Sequence, residues 1–501
     1  MILCLFVIFF KLFIIFICFL LLYILITQLI YFKLKFQHNL IYKNANIKTI
    51  SLVHPFCSDC GGGEKVLWRM ILSLITYYDD INHQNQNQNL QKIKINVISG
   101  RKDDKEKLFE KLKTRFGIEF KNNIMTKTNN KLVLEVELIT MNSGYMLRPK
   151  NFLTMFLQIL AQIYFAIEII TKVYSDVYCD TTGLPFTYFI LKYLGHAKVS
   201  AYTHYPFISN DMIYQVQNNI SGIHSRGNLN KNKFIRKIKL YYYNLIMKMY
   251  KFMGNKCLSF AYVNSTWTFN HMKELWDNLY KQNKLQILYP PCSISLYKEA
   301  AKNDIRENII VSFAQFRPEK RQEMQIRILS KLRKKLAGEP EFNDLELHII
   351  GGVRNNEDKQ IFDNLNDYAN KLHVGNYVKF IPNGTVEQIT EEFSKAKIGI
   401  HTMFEEHFGI TLIEMMAAGL IVVTHNSAGA KNDILKSDGE MMKPGFLVND
   451  ENEYVSQIEE ILRNYNEIKG LIINNSTQRA EKFSDEAFKE KFLYKLKEFL
   501  L

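Results

Sequence analysis

Apolar and polar positions divide this chain into an anchor and two alternating series. Residues 2–32 form an almost unbroken apolar run in which Lys11 is the one charge. A helix needs about 20 apolar residues to cross a bilayer, and positions 12–32 supply that alone. A cleaved leader has a shorter core and a small-residue cleavage site, whereas this run ends in Lys33-Leu-Lys35. A retained anchor is expected. Beyond it, short β-rich runs at 47–54, 93–98, 132–141, 176–179, 199–202 and 259–263 alternate with helical stretches such as 64–77 and 104–113. The alternation restarts at 309–313 and continues through 345–350, 378–381, 397–402 and 421–425, with helical patterns at 319–336, 357–372 and 386–396. Strands alternating with helices imply parallel sheets covered on both faces. Two such series imply an α/β protein with two facing Rossmann-like domains and a cleft between them. The expected division is 1–32 anchor, 33–295 first domain, 296–483 second domain and 484–501 a terminal helix bracing the first domain. The boundary follows the turn Tyr289-Pro-Pro-Cys292.

Composition narrows the class. With 47% hydrophobic and 13% aromatic residues over 501 positions, the chain can bury large cores and is not a disordered protein. Its 64 Lys+Arg against 50 Asp+Glu leave a formal charge of +14, which points to an anionic partner. No nucleic-acid-binding motif accompanies that charge, so a phosphorylated substrate or a membrane surface is favoured. From 212 to 273 there is no acid and there are ten basic residues, with the apolar run Leu240-Tyr-Tyr-Tyr-Asn-Leu-Ile-Met247 among them. Such a segment suits the headgroup boundary, where lysine stems snorkel. The stretch 152–170 is apolar, but Gln158 and Gln162 share one helix face, which reads as an in-plane or buried helix, not a second crossing. Lys33, Lys35, Lys43 and Lys48 follow the anchor, so the positive-inside rule places the remainder in the cytosol. Thiols stay reduced there, and Cys57-Ser-Asp-Cys60 is not expected to close a disulfide or, lacking a second ligand pair, to hold zinc. The Asn/Gln-rich insert 82–89 reads as a surface loop, and the acceptor triplets at Asn219, Asn264 and Asn383 would be inert in the cytosol.

The most informative stretch is Glu406-His-Phe-Gly-Ile-Thr-Leu-Ile-Glu414. It leaves the carboxyl end of the 397–402 strand, the end at which doubly wound sheets bind ligands. Gly409 permits close backbone approach, and the helix expected from Ile410 offers amides for a diphosphate. Gly61-Gly62-Gly63 forms a second strand–glycine–helix junction, able to receive a phosphate or sugar from the first domain.

With these motifs assembled, the chain resembles the dolichol-linked oligosaccharide α-1,2-mannosyltransferases, retaining GT-B glycosyltransferases of asparagine-linked glycosylation. The likeness runs through His54-Pro-Phe-Cys, Gly-Gly-Gly-Glu-Lys-Val-Leu-Trp68, Cys179-Asp-Thr-Thr-Gly-Leu-Pro-Phe186, Thr203-His-Tyr-Pro206, Tyr289-Pro-Pro-Cys292, Gln315-Phe-Arg-Pro-Glu-Lys320 and His401-Thr-Met-Phe-Glu-Glu-His-Phe-Gly-Ile, in the family's order. It implies transfer of mannose from GDP-mannose, with retention, to a dolichol-pyrophosphate oligosaccharide on the cytosolic face of the endoplasmic reticulum, with other mannosyltransferases as possible partners. It implies Glu406, His204 and Lys320 as catalytic residues. It implies Arg317, Gly351, Gly352, Phe408, Gly409, Ile410 and Glu414 at the donor, with Glu414 on the ribose, and Gly61, Gly62 and Gly63 as a phosphate or acceptor loop. Where the family usually has a fourth glycine stands Cys60, and Ser427-Ala-Gly-Ala-Lys431 departs from its Ser-Gly-Gly-Pro-Lys, so no site is assigned there. The chain contains no Asp-x-Asp pair of the kind that commonly holds nucleotide sugars through a divalent ion. Charge neutralisation by Lys320, Arg317 and helix amides is therefore expected, with neither metal nor cofactor. Two alternatives remain open: another retaining GT-B enzyme acting on a membrane lipid, and a catalytically silent sugar-binding membrane subunit.

Overall fold

A computed structural model describes residues 2–43, 47–59, 61–84, 92–120, 134–148, 154–218, 233–436 and 443–500. Most of the 82–89 insert, Cys60, the Asn219 triplet and part of the basic 212–273 segment lie outside these residues. The first sheet contains β1 (Ile47–Val53), β2 (Lys92–Ser99), β3 (Leu134–Thr140), β4 (Val177–Asp180), β5 (Lys198–Thr203), β6 (Phe260–Val263) and β7 (Leu285–Ile287). The second contains β8 (Glu307–Phe313), β9 (Glu346–Gly351), β10 (Val378–Pro382), β11 (Ala396–His401), β12 (Ile421–His425) and β13 (Phe446–Val448). Strand orders are β3-β2-β1-β4-β5-β6-β7 and β10-β9-β8-β11-β12-β13, and every pairing is parallel. The short edge strands β7 and β13 escape the sequence pattern, because three residues are too few to show a period.

Each sheet reverses its winding once, between β1 and β4 and between β8 and β11. In such sheets the loops leaving the two central strands part to opposite faces and open a crevice at their carboxyl ends. Here the two crevices face each other. The domains are joined at Tyr289–Ser293 and again at the C-terminus, where the Cys292 amide donates to Phe483 O at 3.0 Å. The last helix, Asp485–Leu500, then packs on the helix Gly62–Gln84 of the first domain, burying Phe488 and Phe492 in its core.

Two helices differ from expectation. The apolar N-terminal helix does not end at Phe32 but runs unbroken from Ile2 to His38, about 55 Å at ~1.5 Å per residue. No Gly or Pro interrupts it, and its end is part of the first domain. Tyr31 is fully buried, Gln28 Nε2 donates to Leu194 O at 3.0 Å, and His38 meets Thr49 Oγ1 at 2.6 Å. Leu21, Leu25 and Leu29 on the same helix stay exposed. The helix expected at 319–336 is broken: Pro318–Lys320 forms a 3-10 turn, Arg321 adopts φ +53°, and the α-helix runs only from Gln322 to Lys335.

The stretch 152–170 becomes the helix Thr154–Lys172, long and apolar enough to cross a membrane by those two measures alone. It is built into the first domain. Phe165, Ala166 and Ile169 are fully buried, and the buried Gln162 accepts from the Phe186 amide at 3.0 Å. Its opposite edge exposes Phe156, Leu160 and Tyr164.

Candidate active site

The facing crevices enclose a cavity of about 550 Å³, lined by loops from β1, β4 and β5 on one side and β8, β9 and β11 on the other. From the second domain, the turn after β8 delivers Lys320 and the loop after β11 delivers Glu406. Lys320 Nζ lies 2.5 Å from Glu406 Oε2, which His401 Nε2 also reaches at 3.0 Å. Burial works to raise the Glu406 pKa, but the Lys320 ammonium and His401 outweigh it and hold the carboxyl well below its usual range. Burial lowers the His401 pKa in turn. Thr402 Oγ1 donates to Lys320 O at 2.8 Å, so the two loops are tied to each other independently of the charges.

The acid loop is under conformational constraint. Glu405 has φ +55° and Gly409 φ +109°, bracketing Glu406–Phe408. The Glu405 amide donates to Ser427 Oγ at 2.9 Å and the Gly429 amide to Glu406 O at 2.9 Å. A Cβ on Gly429 would lie 2.6 Å from His407 O, so only glycine lets this segment support the loop. The 427–431 stretch, to which the sequence assigned no site, is thus the platform on which Glu406 stands. The helix Ile410–Ala417 begins immediately after, with Phe408, Gly409 and Ile410 at the cavity wall. The Phe408 ring itself is buried, stacked on Tyr289 at 5.6 Å, so what it can present to a ligand is backbone.

Across the cleft, His204 follows β5, and its Nε2 lies 3.2 Å from Thr181 O. A carbonyl only accepts, so the ring carries its proton on Nε2. Burial, then the neighbouring His54, lowers its pKa to about 4, so it is neutral near pH 7. Gly63 makes room for it: a Cβ there would sit 3.3 Å from His204 Nε2. His54 Nε2 meets Glu64 Oε1 at 3.2 Å, and Glu64 Oε2 accepts from the Gly61 amide at 2.7 Å. Burial raises the Glu64 pKa, but the His54 contacts and backbone amides win and bring it to about 2. One amide of the glycine loop is therefore already engaged by protein.

Three expected donor residues stand differently from their assignment. Arg317 does not line the cleft; it lies beside Glu319 at 3.6 Å and lines a separate pocket with Arg321 and Arg327. Its backbone is extended, just before Pro318. Arg115 of the first domain borders the cavity instead. Gly351 borders the cavity, but a Cβ there would lie 2.2 Å from Ala314 O, so the chain itself occupies the space; Gly352 is open, with nothing nearer than 4.0 Å. Glu414 is bonded to Lys65 of the first domain at 2.8 Å. Lys65, Glu64, His54 and His401 were legible only as letters inside motifs, since nothing in their spacing assigns them a partner. Among the described residues, no group of three or more His, Cys, Asp or Glu converges in a metal-ligand arrangement.

Comparison with known proteins decides the family. Residues 47–276 match the family described as ALG11 mannosyltransferase N-terminus, and residues 295–479 match Glycosyl transferases group 1. The GDP-Man:Man(3)GlcNAc(2)-PP-Dol alpha-1,2-mannosyltransferase of Xenopus laevis is 34% identical over 450 residues, covering 89% of this chain and 86% of that one. The chain belongs to this mannosyltransferase family. The Homo sapiens member is 32% identical with the same coverage, and the Dictyostelium discoideum member is 32% identical over 91% of this chain and 85% of that one. Solved structures share the GT-B fold at low identity. Anabaena HepE with UDP and glucose superimposes with a TM-score of 0.56 at 15% identity, covering 89% of this chain and 99% of that one. Sucrose-phosphate synthase from Thermosynechococcus elongatus gives 0.57 at 13%, covering 90% and 98%.

Proposed function

We propose that this mannosyltransferase moves mannose from GDP-mannose, in α-1,2 linkage and with retention, to dolichol-pyrophosphate-linked Man3GlcNAc2 and then to the Man4GlcNAc2 product, for protein N-glycosylation. The observation that carries the reading is the Lys320–Glu406–His401 cluster at the winding reversal of the second sheet, facing the neutral His204 across the cleft. Retaining transfer by this fold is chiefly positioning and stabilisation of leaving-group charge. Lys320 and the amides at Gly409 and Ile410 neutralise the departing diphosphate. Glu406 orients the donor sugar, and Glu414 holds the ribose. The donor C1–O bond breaks as an acceptor mannose 2-hydroxyl closes on the same face, its proton passing to the leaving phosphate oxygen. His204, neutral and with a free choice of neither tautomer nor orientation, borders the reacting sugar.

The acceptor is a lipid, and the first domain offers a surface for its bilayer. Leu21, Leu25 and Leu29 of the N-terminal helix, and Phe156 and Leu160 of the helix on which it packs, are all exposed. The helix Lys233–Cys257 adds exposed Phe234, Ile238 and Tyr241. We place the protein in the endoplasmic reticulum membrane with both domains in the cytosol; protease added to sealed microsomes should digest them, and full protection would reverse that topology. The test of function is incubation of the purified full-length protein with GDP-mannose and trimannosyl-chitobiosyl pyrophosphate on a lipid carrier. Products carrying one, then two, alkali-stable α-1,2 mannoses, formed equally in EDTA, are expected. Transfer only from another sugar nucleotide would favour a different GT-B enzyme, and donor binding without transfer a silent subunit.

A further inference from the structure

We propose that Lys65 is a positioning residue for the donor site: reaching out of the first domain, it holds Glu414 in place and ties the two domains together across the cleft. The proposal deepens the reading above, since it concerns the carboxylate assigned there to the ribose. Lys65 is the second residue after the glycine loop, in the opening turn of the helix Gly62–Gln84. A cation in that turn opposes the helix dipole, so local helix energetics do not account for it. Lys65 borders the cavity, is only 4% exposed, and its Nζ ends 2.8 Å from Glu414 Oε1, whose residue is 6% exposed. Burial disfavours the ammonium, but Glu414, with Asp485 nearby, outweighs it and keeps Lys65 charged.

Burying two charges is costly before attraction offsets it, and an apolar pair of similar volume commonly serves stability as well or better. What an ion pair supplies and an apolar pair does not is a fixed direction for the carboxylate. Lys65 takes one oxygen of Glu414 and leaves the other for a ligand hydroxyl. The contact is not isolated. A Cβ on Gly62 would come within 3.3 Å of Ile410 Cδ1, at the start of the same second-domain helix. At the other end of the acid motif, His407 packs on Tyr205 and Trp267 of the first domain, with ring centroids 4.5 and 4.8 Å apart and planes within 23° and 19°. The segment from His407 to Glu414 is therefore gripped by the first domain at both ends. Separation of the domains would strip Glu414 of its cation, so donor binding and closure share one contact.

The experiment uses full-length protein in detergent micelles, as wild type, Lys65→Met, Lys65→Arg, Glu414→Gln and the Met/Gln double variant. Hydrogen exchange without ligand is followed at amides 62–68 and 410–417. Steady-state transfer then yields KM for GDP-mannose and kcat. Lys65→Met should speed exchange in both segments and raise KM about tenfold or more, with kcat at saturating donor reduced less than about threefold. Lys65→Arg should restore both, and the double variant should bind donor no worse than Glu414→Gln alone. Unchanged exchange in Lys65→Met, a KM within about twofold of wild type, multiplying effects in the double variant, or failure of Lys65→Arg to rescue would each overturn the proposal. If the wild type proves not to use GDP-mannose, the functional reading falls, while the exchange data still decide whether Lys65 ties the domains.

Discussion

Replacing Lys320 by Met separates the catalytic and structural roles of the acid cluster. Lys320 and Glu406 are 18% and 15% exposed and 2.5 Å apart. Removing the ammonium leaves a carboxylate whose remaining charged or polar support is His401, itself pushed toward the neutral form by burial. Breaking a buried pair costs roughly 3–5 kcal/mol. Residual solvent contact puts this one near the low end, about 3 kcal/mol. For a domain of this size each kcal/mol moves the melting point by about 2–4 °C, so a fall of roughly 6–12 °C is expected. Activity should fall further, because a stabiliser of developing charge contributes about 2.7–4 kcal/mol, or 10²–10³ in kcat. The ion pair means that alanine at either position should also lower the melting temperature. The decisive sample is Lys320→Met/Glu406→Gln, in which neither charge remains. It should recover most of the lost melting temperature and none of the lost transfer. Calorimetry and GDP-mannose transfer on the wild type and the two variants provide the readout. If the double variant melts as low as Lys320→Met, the unpaired Glu406 carboxylate is not what destabilises the single variant; if Lys320→Met alone keeps near-normal kcat, the assignment of Lys320 to leaving-group charge is wrong.

His204 has its folded pKa lowered to about 4 from an unfolded value near 6.5, so the unfolded chain binds the extra proton first. Its contribution should be intact above about pH 6.5 and lost as pH falls toward about 4, costing up to roughly 3 kcal/mol; urea melts should show this slope flattened in His204→Gln. Gly429→Ala puts a methyl within 2.6 Å of His407 O and Phe408 Cα, and should lower kcat by more than about tenfold through the displaced acid loop; unaltered turnover would show that the loop can relax. Reversing Lys237, Lys239, Lys248 and Lys251 together in protein lacking residues 1–26, a cut that spares the buried Thr27 and Tyr31, should abolish flotation with anionic liposomes, since each basic side chain near such a surface contributes about 1 kcal/mol. Unchanged flotation would move the membrane face elsewhere.

The sequence by itself carried the architecture and the chemistry of single positions. Parallel strands buried on both faces are mostly apolar, so the 47–54, 309–313 and 421–425 runs announced themselves. Glycine at 409 and the acids at 406 and 414 marked a ligand-binding strand end, because few residue types tolerate such a turn or serve such a role. Helix continuity was less legible: nothing local said that Arg321 would take a left-handed backbone, or that the N-terminal helix would continue to His38. Pairings were not legible at all. Lys320 meets Glu406 from 86 residues away, and Lys65 meets Glu414 from 349 away, in the other domain. Periodicity reports what a residue's immediate neighbours require of it. Which charge faces which is set by the winding reversal of each sheet and by how two cores lie against each other, and those are decided only when the whole chain has packed.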